Sequence, residues 1–354
     1  MSQGILLSRP YTTGGTPFII GEPGIRLPTE DFFLEVSKRH VPGYSAVHKY
    51  GKNPDIDNAA TYQAIWNGGG AYTGFDATAA ETLEVFSSDA ADAGTLVSSG
   101  TATGGTISTL IDTGATFVSD GVAAGDVVIN DTGLAHGVVE SVTETVITVY
   151  QFTNDIAFEI NHAYRVATQA STGAPVCLLG FLLDANYDQS SEYIILNGIT
   201  AVDTVGTYLR QSRARTTGGD NAGTITSRQK TTTANIFMVM PINYNSTMIS
   251  AYTIPRGFTG FAVNWFIGLA GKVNANISGR LRRRNRGCVF QVQEELALMS
   301  TGSTFVDRGY KMPKNSFPQM SDVFVEASSN SANTQVIAGF DLLIISNDLI
   351  NEGK

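Results

Sequence analysis

The residues that could do chemistry are few and far apart. Four histidines, His40, His48, His136 and His162, and two cysteines, Cys177 and Cys288, are the chain's whole stock of imidazole and thiol groups. A helical zinc site needs histidines four residues apart, and a nucleophile needs a base held beside it. No pair here has either arrangement. The histidines therefore read as satisfied or surface groups, and the cysteines as small hydrophobes in apolar strands. Asp184-Ala-Asn186-Tyr-Asp188 with Glu192 offers the alternating oxygen ligands of a calcium loop. Yet Gln189 stands where that loop needs glycine and Ile195 where it needs a bidentate glutamate, so a hairpin turn is expected. Asp55 and Asp57 pair two carboxylates, as glycoside cleavage requires, without a cleft signature around them. Neither a GxxxxGK[ST] loop nor a GxSxG elbow occurs. Gly68-Gly69-Gly70 and Gly104-Gly105 lack the strand-to-helix frame of a phosphate cradle and read as turns or close approaches. The expectation is a non-enzyme, with no catalytic residue, no cofactor and no metal.

One charged motif stands out. Arg280, Arg282, Arg283, Arg284 and Arg286 fall within seven residues at the end of an alternating stretch. Nucleic-acid binding would call for a broader basic surface with interleaved aromatics. Alternating arginines on one strand face suit an acidic protein surface better, with plain solvation as the competing reading. The net charge of −9 hides a split: residues 53–209 hold 19 acidic residues against Arg165 alone, and the remainder holds 22 basic and 13 acidic. Head-to-tail contact between copies is thus electrostatically allowed.

What must position these groups is a chain of 354 residues, enough for two or three domains, 42% hydrophobic and only 16% charged. This composition excludes a disordered chain and a general nucleic-acid binder. No apolar run reaches membrane-span length, and the start lacks a secretory n-region, so a soluble product made in the cytoplasm is expected. Met1–Leu27, rich in glycine and proline without a sustained period, reads as an extended arm. Thr29–His40 reads as a helix, with Thr29 as cap and Phe32, Phe33 and Val36 on one face; a second short helix is expected over Ala59–Trp66. From Thr82 onward the pattern is strand. Phe261, Val263, Trp265, Ile267 and Leu269 alternate, as do Val273 to Leu281, Cys288 to Leu298 and Val336 to Ile344. Thr82–Phe86, Val176–Leu183 and Ser191–Thr200 read as strands of one module, with Asn197-Gly198 as a tight turn. The short strands between them read as a separate small barrel placed in a loop. The fold class expected is all-β: immunoglobulin-like and jelly-roll-like sandwich modules, a small inserted barrel, and an extended N-terminal arm with a short helix. The boundaries are 1–80 for the arm and docking region, 81–244 for a sandwich holding the barrel 95–170, and 245–354 for the C-terminal sandwich.

Several stretches carry a likeness: Val41–Asp57, Ile65–Gly70, Tyr72–Phe75, Leu183–Tyr187, Leu196–Gly198, Asn221–Thr226, Ala251–Pro255, Ala327–Ala332 and Ala338–Leu342. In these the chain resembles virion structural proteins of tailed bacteriophages, and the inserted block resembles a small β-module recurring in phage proteins. The acidic barrel is the departure, since many of the lookalikes lack it. The resemblance implies a non-enzymatic, multi-copy component of the virion, capsid-decorating or otherwise on the head surface, whose partners are capsid, neck or tail proteins. A homo-oligomer is expected, a trimer by the habit of phage surface proteins, with neither nucleic acid nor membrane as partner. Phe32, Phe33 and Trp66 would be its apolar anchors and Arg280, Arg282 and Arg284 its charged ones. The alternatives are a neck, collar or tail-fibre part, or a receptor-binding appendage that takes a host-surface glycan through exposed Tyr72, Phe75 or Tyr187.

Overall fold

A computed structural model describes residues 35–36, 40–56, 61–169, 172–270, 275–299 and 305–351. The chain is an all-β sandwich protein of antiparallel strands, numbered β1 to β23 along the sequence; among the described residues after Ile56 its α-helices are α1 (Phe117–Asp120) and α2 (Asn347–Asn351). Of the helix expected over Thr29–His40, Glu35 and Val36 are helical and His40 is not. The arm, Phe32 and Phe33 lie outside the described residues.

The terminal sandwich has one sheet in the order β1 (Tyr44–Ile56), β23 (Thr334–Ser346), β18 (Phe258–Leu269), β21 (Phe305–Phe317). The facing sheet runs β17 (Ala251–Thr253), β22 (Asp322–Ser329), β19 (Asn276–Arg284), β20 (Gln291–Met299), and β2 (Gln63–Ala64) shares the β22 edge with β17. Between the sheets lie Trp265, Ile267, Phe317, Val325, Ala338 and Phe340, all fully buried. Burial of Ile267, Phe317, Val325 and Phe340 contributes about 1.5–3 kcal/mol each.

Three local readings are corrected here. Tyr44–Ile56, assigned with the arm, is instead an edge strand paired with β23 from Tyr44–Ile345 to Asn53–Val336. Its inward positions include Lys49, Gly51 and Asn53, which hid its period from a hydrophobicity reading. Within Ala59–Trp66, the described residues form no helix: Gln63–Ala64 pair with β22 and Trp66 bridges Ile249. The chain threads between two cores there, sending Ala64 and Trp66 to one and Ile65 to the other, a period of two rather than 3.6. In β18 the simple alternation breaks. The register slips between Ala262 and Asn264, so Ala262, Trp265 and Ile267 face inward while Phe261 and Val263 do not.

The middle sandwich is built from β3 (Glu81–Ser87), β11 (Val176–Leu183), β12 (Gln189–Ile195), β13 (Val202–Tyr208), β14 (Arg213–Thr217), β15 (Ile225–Gln229) and β16 (Ile236–Met240). Its sheets read β13-β3-β15-β16 and β12-β11-β14, closed over Leu83, Val85, Leu179, Ile225, Phe237 and Met238. Cys177 is buried in β11 as expected of an apolar position, but Cys288 is exposed in the turn before β20, not in a strand.

Between β3 and β11 the chain makes the small barrel: β4 (Gly94–Thr101), β5 (Gly104–Gly105), β6 (Thr109–Ile111), α1, β7 (Val127–Asn130), β8 (Ala135–Val142), β9 (Val146–Val149) and β10 (Ala163–Gln169). Its order is β4-β10-β7-β8-β9-β6-β5. Because β4 and β5 are nearly one strand, the two ends of that order meet and the sheet closes. It has its own core of Leu110, Phe117, Ile147, Phe152, Phe158 and Val166. At its root Gln169 pairs with Gly94. Beside them the buried Asp92 carboxylate accepts hydrogen bonds from Ser87 Oγ and the amides of Ala174, Ala222 and Gly223, at 2.5–2.9 Å.

Candidate functional site

All eight residues of β22 are buried, because both of its faces are covered. Val323, Val325 and Ala327 enter the terminal core, while Asp322, Phe324 and Glu326 point the other way, toward the middle sandwich. The arginine motif lies on that same seam. Arg284 reaches the Asp322 carboxylate at 2.6 Å and the Phe75 carbonyl at 2.7 Å. Arg210, from the middle sandwich, donates to both Asp322 oxygens at 3.1 and 3.2 Å, and Thr253 Oγ1 donates to Oδ1 at 2.6 Å. Burial works against the Arg210 charge, but Asp322 more than offsets it and holds the guanidinium pKa above its ordinary value. Arg282 pairs with Glu326 at 3.1 Å, and Arg280 pairs with Glu295 at 3.0 Å while lying 3.7 Å over the Tyr62 ring. Phe75, Phe290 and Phe324 pack edge-on or tilted around these ions, and Arg284 stacks 4.4 Å above Phe290.

The arginines expected to meet a partner therefore meet the chain's own carboxylates. Register is the reason: β20 places Glu295 opposite Arg280, and β22 places Glu326 opposite Arg280 and Asp322 opposite Arg284. Trp66 is likewise no surface anchor. It is 3% exposed and meets Tyr72 edge-on at 5.2 Å. Tyr72, Phe75 and Tyr187, named for a glycan contact, are all buried.

A second polar group in the seam had no sequence signal. Lys49 of β1 is 5% exposed, donates to the Ser212 carbonyl, and lies 5.7 Å from the Phe181 ring. Burial first, and Arg213 second, push its pKa down to about 7. Elsewhere the titratable groups are held locally. His136 sits 2.9 Å from the Tyr193 hydroxyl where the barrel meets the middle sandwich, and burial, aided by Arg215, pushes its pKa down to about 4. Burial, with Asp92 nearby, pushes the Cys177 thiol up to about 12. Asp184 accepts the amides of Asn186 and Asp188, and Asp188 pairs with Arg256 at 2.7 Å, so this loop is a side-chain-stabilised turn. Among the described residues no group of three or more His, Cys, Asp or Glu gathers at metal-binding distance.

The remaining cluster of aromatic and titratable groups lies on the outer face of the β1-β23-β18-β21 sheet. Register aligns it in three rows: His48, Asp341, Asn264, Gly309; then Tyr50, Gly339, Phe266, Asp307; then Ile337, Gly268, Phe305 beside Lys52. His48 Nδ1 lies 2.6 Å from Asp341 Oδ1. Phe266 stacks on His48 and Tyr50 at interplanar angles of 17° and 25° and is tilted by 32° to Phe305, with centroid distances of 5.8–6.4 Å. The sequence did hint at this face: glycine inside a strand marks a close approach, and Gly268 and Gly339 are such positions. Comparison with known proteins adds nothing to the geometry: no family model, curated protein or solved structure matches the chain.

Proposed function

We propose that the chain is a structural component of a tailed-bacteriophage virion, present in many copies on the head surface and acting through protein–protein contacts rather than catalysis. The observation that supports this reading most is the seam. Arg210 of the middle sandwich grips the buried Asp322 of the terminal one, Arg284 holds the same carboxylate, and Phe75, Phe290 and Phe324 pack around them, which favours a rigid body over a reactive cleft. The sequence likeness to virion proteins supplies the particle. A capsid-decorating or cement role is the reading; neck, collar or tail-fibre placement is the alternative within the same class. Particles purified by density gradient from cells carrying the gene test it. The chain should appear in many copies per particle by quantitative mass spectrometry, and immunogold should scatter over the heads. Recovery of the chain wholly in the particle-free fraction would overturn the virion reading, and label confined to one vertex or the tail would overturn the head placement.

A further inference from the structure

We infer that Arg213 and Arg215 of β14 form a binding site for a phosphate group, either inorganic phosphate or the terminal phosphate of a monoester. Ala214 between them is buried in the middle core, so a period of two turns both arginines to the opposite face of the sheet. Register sets Arg215 opposite Leu178 and Arg213 opposite Gly180, where the neighbouring strand offers no side chain. Arg213 is exposed and Arg215 half-buried. The barrel borders the pair through His136, whose Nδ1 lies 2.9 Å from the hydroxyl of Tyr193, and Tyr193 shares the row of Leu178 and Arg215. The terminal sandwich borders it through Lys49. The Arg213 guanidinium and the Lys49 ammonium lie 5.8 and 5.7 Å from the same Phe181 ring.

What sets these two arginines apart is a missing counter-charge. Most described arginines pair with a carboxylate, in a chain with 32 acidic residues against 23 basic ones, but among the described residues Arg213 and Arg215 do not. Asp131, whose charge reaches Tyr193, is held by Arg165 at 2.7 and 2.8 Å. The other groups around the pair are cations or become so. Arg215 opposes the charges of Arg213 and His136, and Arg213 opposes that of Lys49. Burial first, and Arg215 second, hold the Arg213 pKa below its ordinary value. Lys49 is buried and already donates to the Ser212 carbonyl, so it adds to the positive field without touching a ligand. A guanidinium fork matches two oxygens of a phosphate, and two forks on one strand face, with stems roughly 7 Å apart, can close on one tetrahedral group. Charge then selects the ligand. A carboxylate offsets one guanidinium, whereas a phosphate monoester carries about −1.5 to −2 at pH 7 and offsets both. An acidic peptide long enough to run past the pair would meet the barrel, where residues 94–169 hold eight acidic residues against Arg165 alone. A compact dianion escapes that repulsion.

The inference is independent of the particle reading, because it is measured on the purified full chain. Isothermal titration at pH 7.5 and fixed ionic strength should show inorganic phosphate binding with Kd of about 1 mM or tighter, and acetate about tenfold more weakly. Phosphoserine binding more tightly than inorganic phosphate would assign the site to a monoester, and the reverse order to the free ion. Arg213→Gln, at an exposed position, should keep the melting temperature in phosphate-free buffer and weaken phosphate binding by about tenfold. Arg213→Lys keeps the charge and loses the fork, so its affinity should fall between the two. Absence of phosphate binding to the parent chain would overturn the inference, as would affinity unaffected by Arg213→Gln. Acetate binding as tightly as phosphate would also overturn it. So would a hexaglutamate peptide binding more tightly than either phosphate probe, which would give the arginine pair to an acidic protein surface.

Discussion

Lys49 shows how far one residue's environment can depart from what its letter suggests. In the sequence it belongs to a polar run, His48-Lys49-Tyr50-Gly51-Lys52, that looks solvated. In the structure it faces the seam, with Phe181 and the Ser212 carbonyl as neighbours and the Arg213 charge opposing its own. The folded protein therefore disfavours its ammonium, with a pKa of about 7 against 10.5 when unfolded. A depressed lysine contributes its full stability above the unfolded value and loses it as pH falls toward the folded one. Between pH 10.5 and about 7 the seam should weaken steadily, and below that the penalty is complete. Lys49→Met keeps the stem and removes the charge, so it should raise the melting temperature at pH 6 by several degrees. Its melting temperature should also vary less with pH between 7 and 10 than that of the parent chain, as read by differential scanning fluorimetry. A parallel pair of curves would show that Lys49 is neutralised by some other means.

At the scale of elements, legibility followed periodicity. Val176–Leu183 was read to the residue, since it is continuously apolar and bounded by turn signals, and Thr82–Phe86 falls within β3. Strand β1 was lost because its inward face carries lysine, glycine and asparagine, and because its partner β23 is nearly three hundred residues away. The arginine strand was legible as a strand, but its role was not, since the carboxylates that absorb it come from β20 and β22 by register alone. The barrel was visible as a change of texture, and its closed order gives it a testable autonomy. Residues 94–169 enclose a core of their own, and the first and last of them are paired. That segment alone should melt cooperatively by circular dichroism, though below the full chain, because Val127, Ile129 and Ala167 lose their cover from Val176 and Tyr193. Gradual, non-cooperative loss of signal would show that the barrel borrows its stability from the sandwich. Burial of three such apolar side chains contributes several kcal/mol at about 25 cal/mol per Å², a large share for so small a domain.

For the whole molecule the decisive group is Asp322, one carboxylate held between Arg210 of the middle sandwich and Arg284 of the terminal one. Attraction between buried charges barely outweighs the cost of taking them out of water, so such a cluster fixes how two bodies sit more than how stable they are. Removing one member is a different matter. Asp322→Ala leaves two guanidinium groups facing each other across an apolar seam lined by Phe75, Phe290 and Phe324, at a cost of about 3–5 kcal/mol. Calorimetry should then show the two sandwiches unfolding separately, and limited proteolysis should cut between them. Replacing the whole cluster, with Arg210→Met, Asp322→Leu and Arg284→Met together, removes charge and desolvation cost at once and should recover most of the lost stability. If the single change is as mild as the triple one, the ions are spectators and the aromatic packing alone joins the sandwiches. If the triple change is as damaging as the single one, the hydrogen bonds of Arg210 and Arg284 to the Ala77 and Phe75 carbonyls hold the seam, and the charge on Asp322 is secondary.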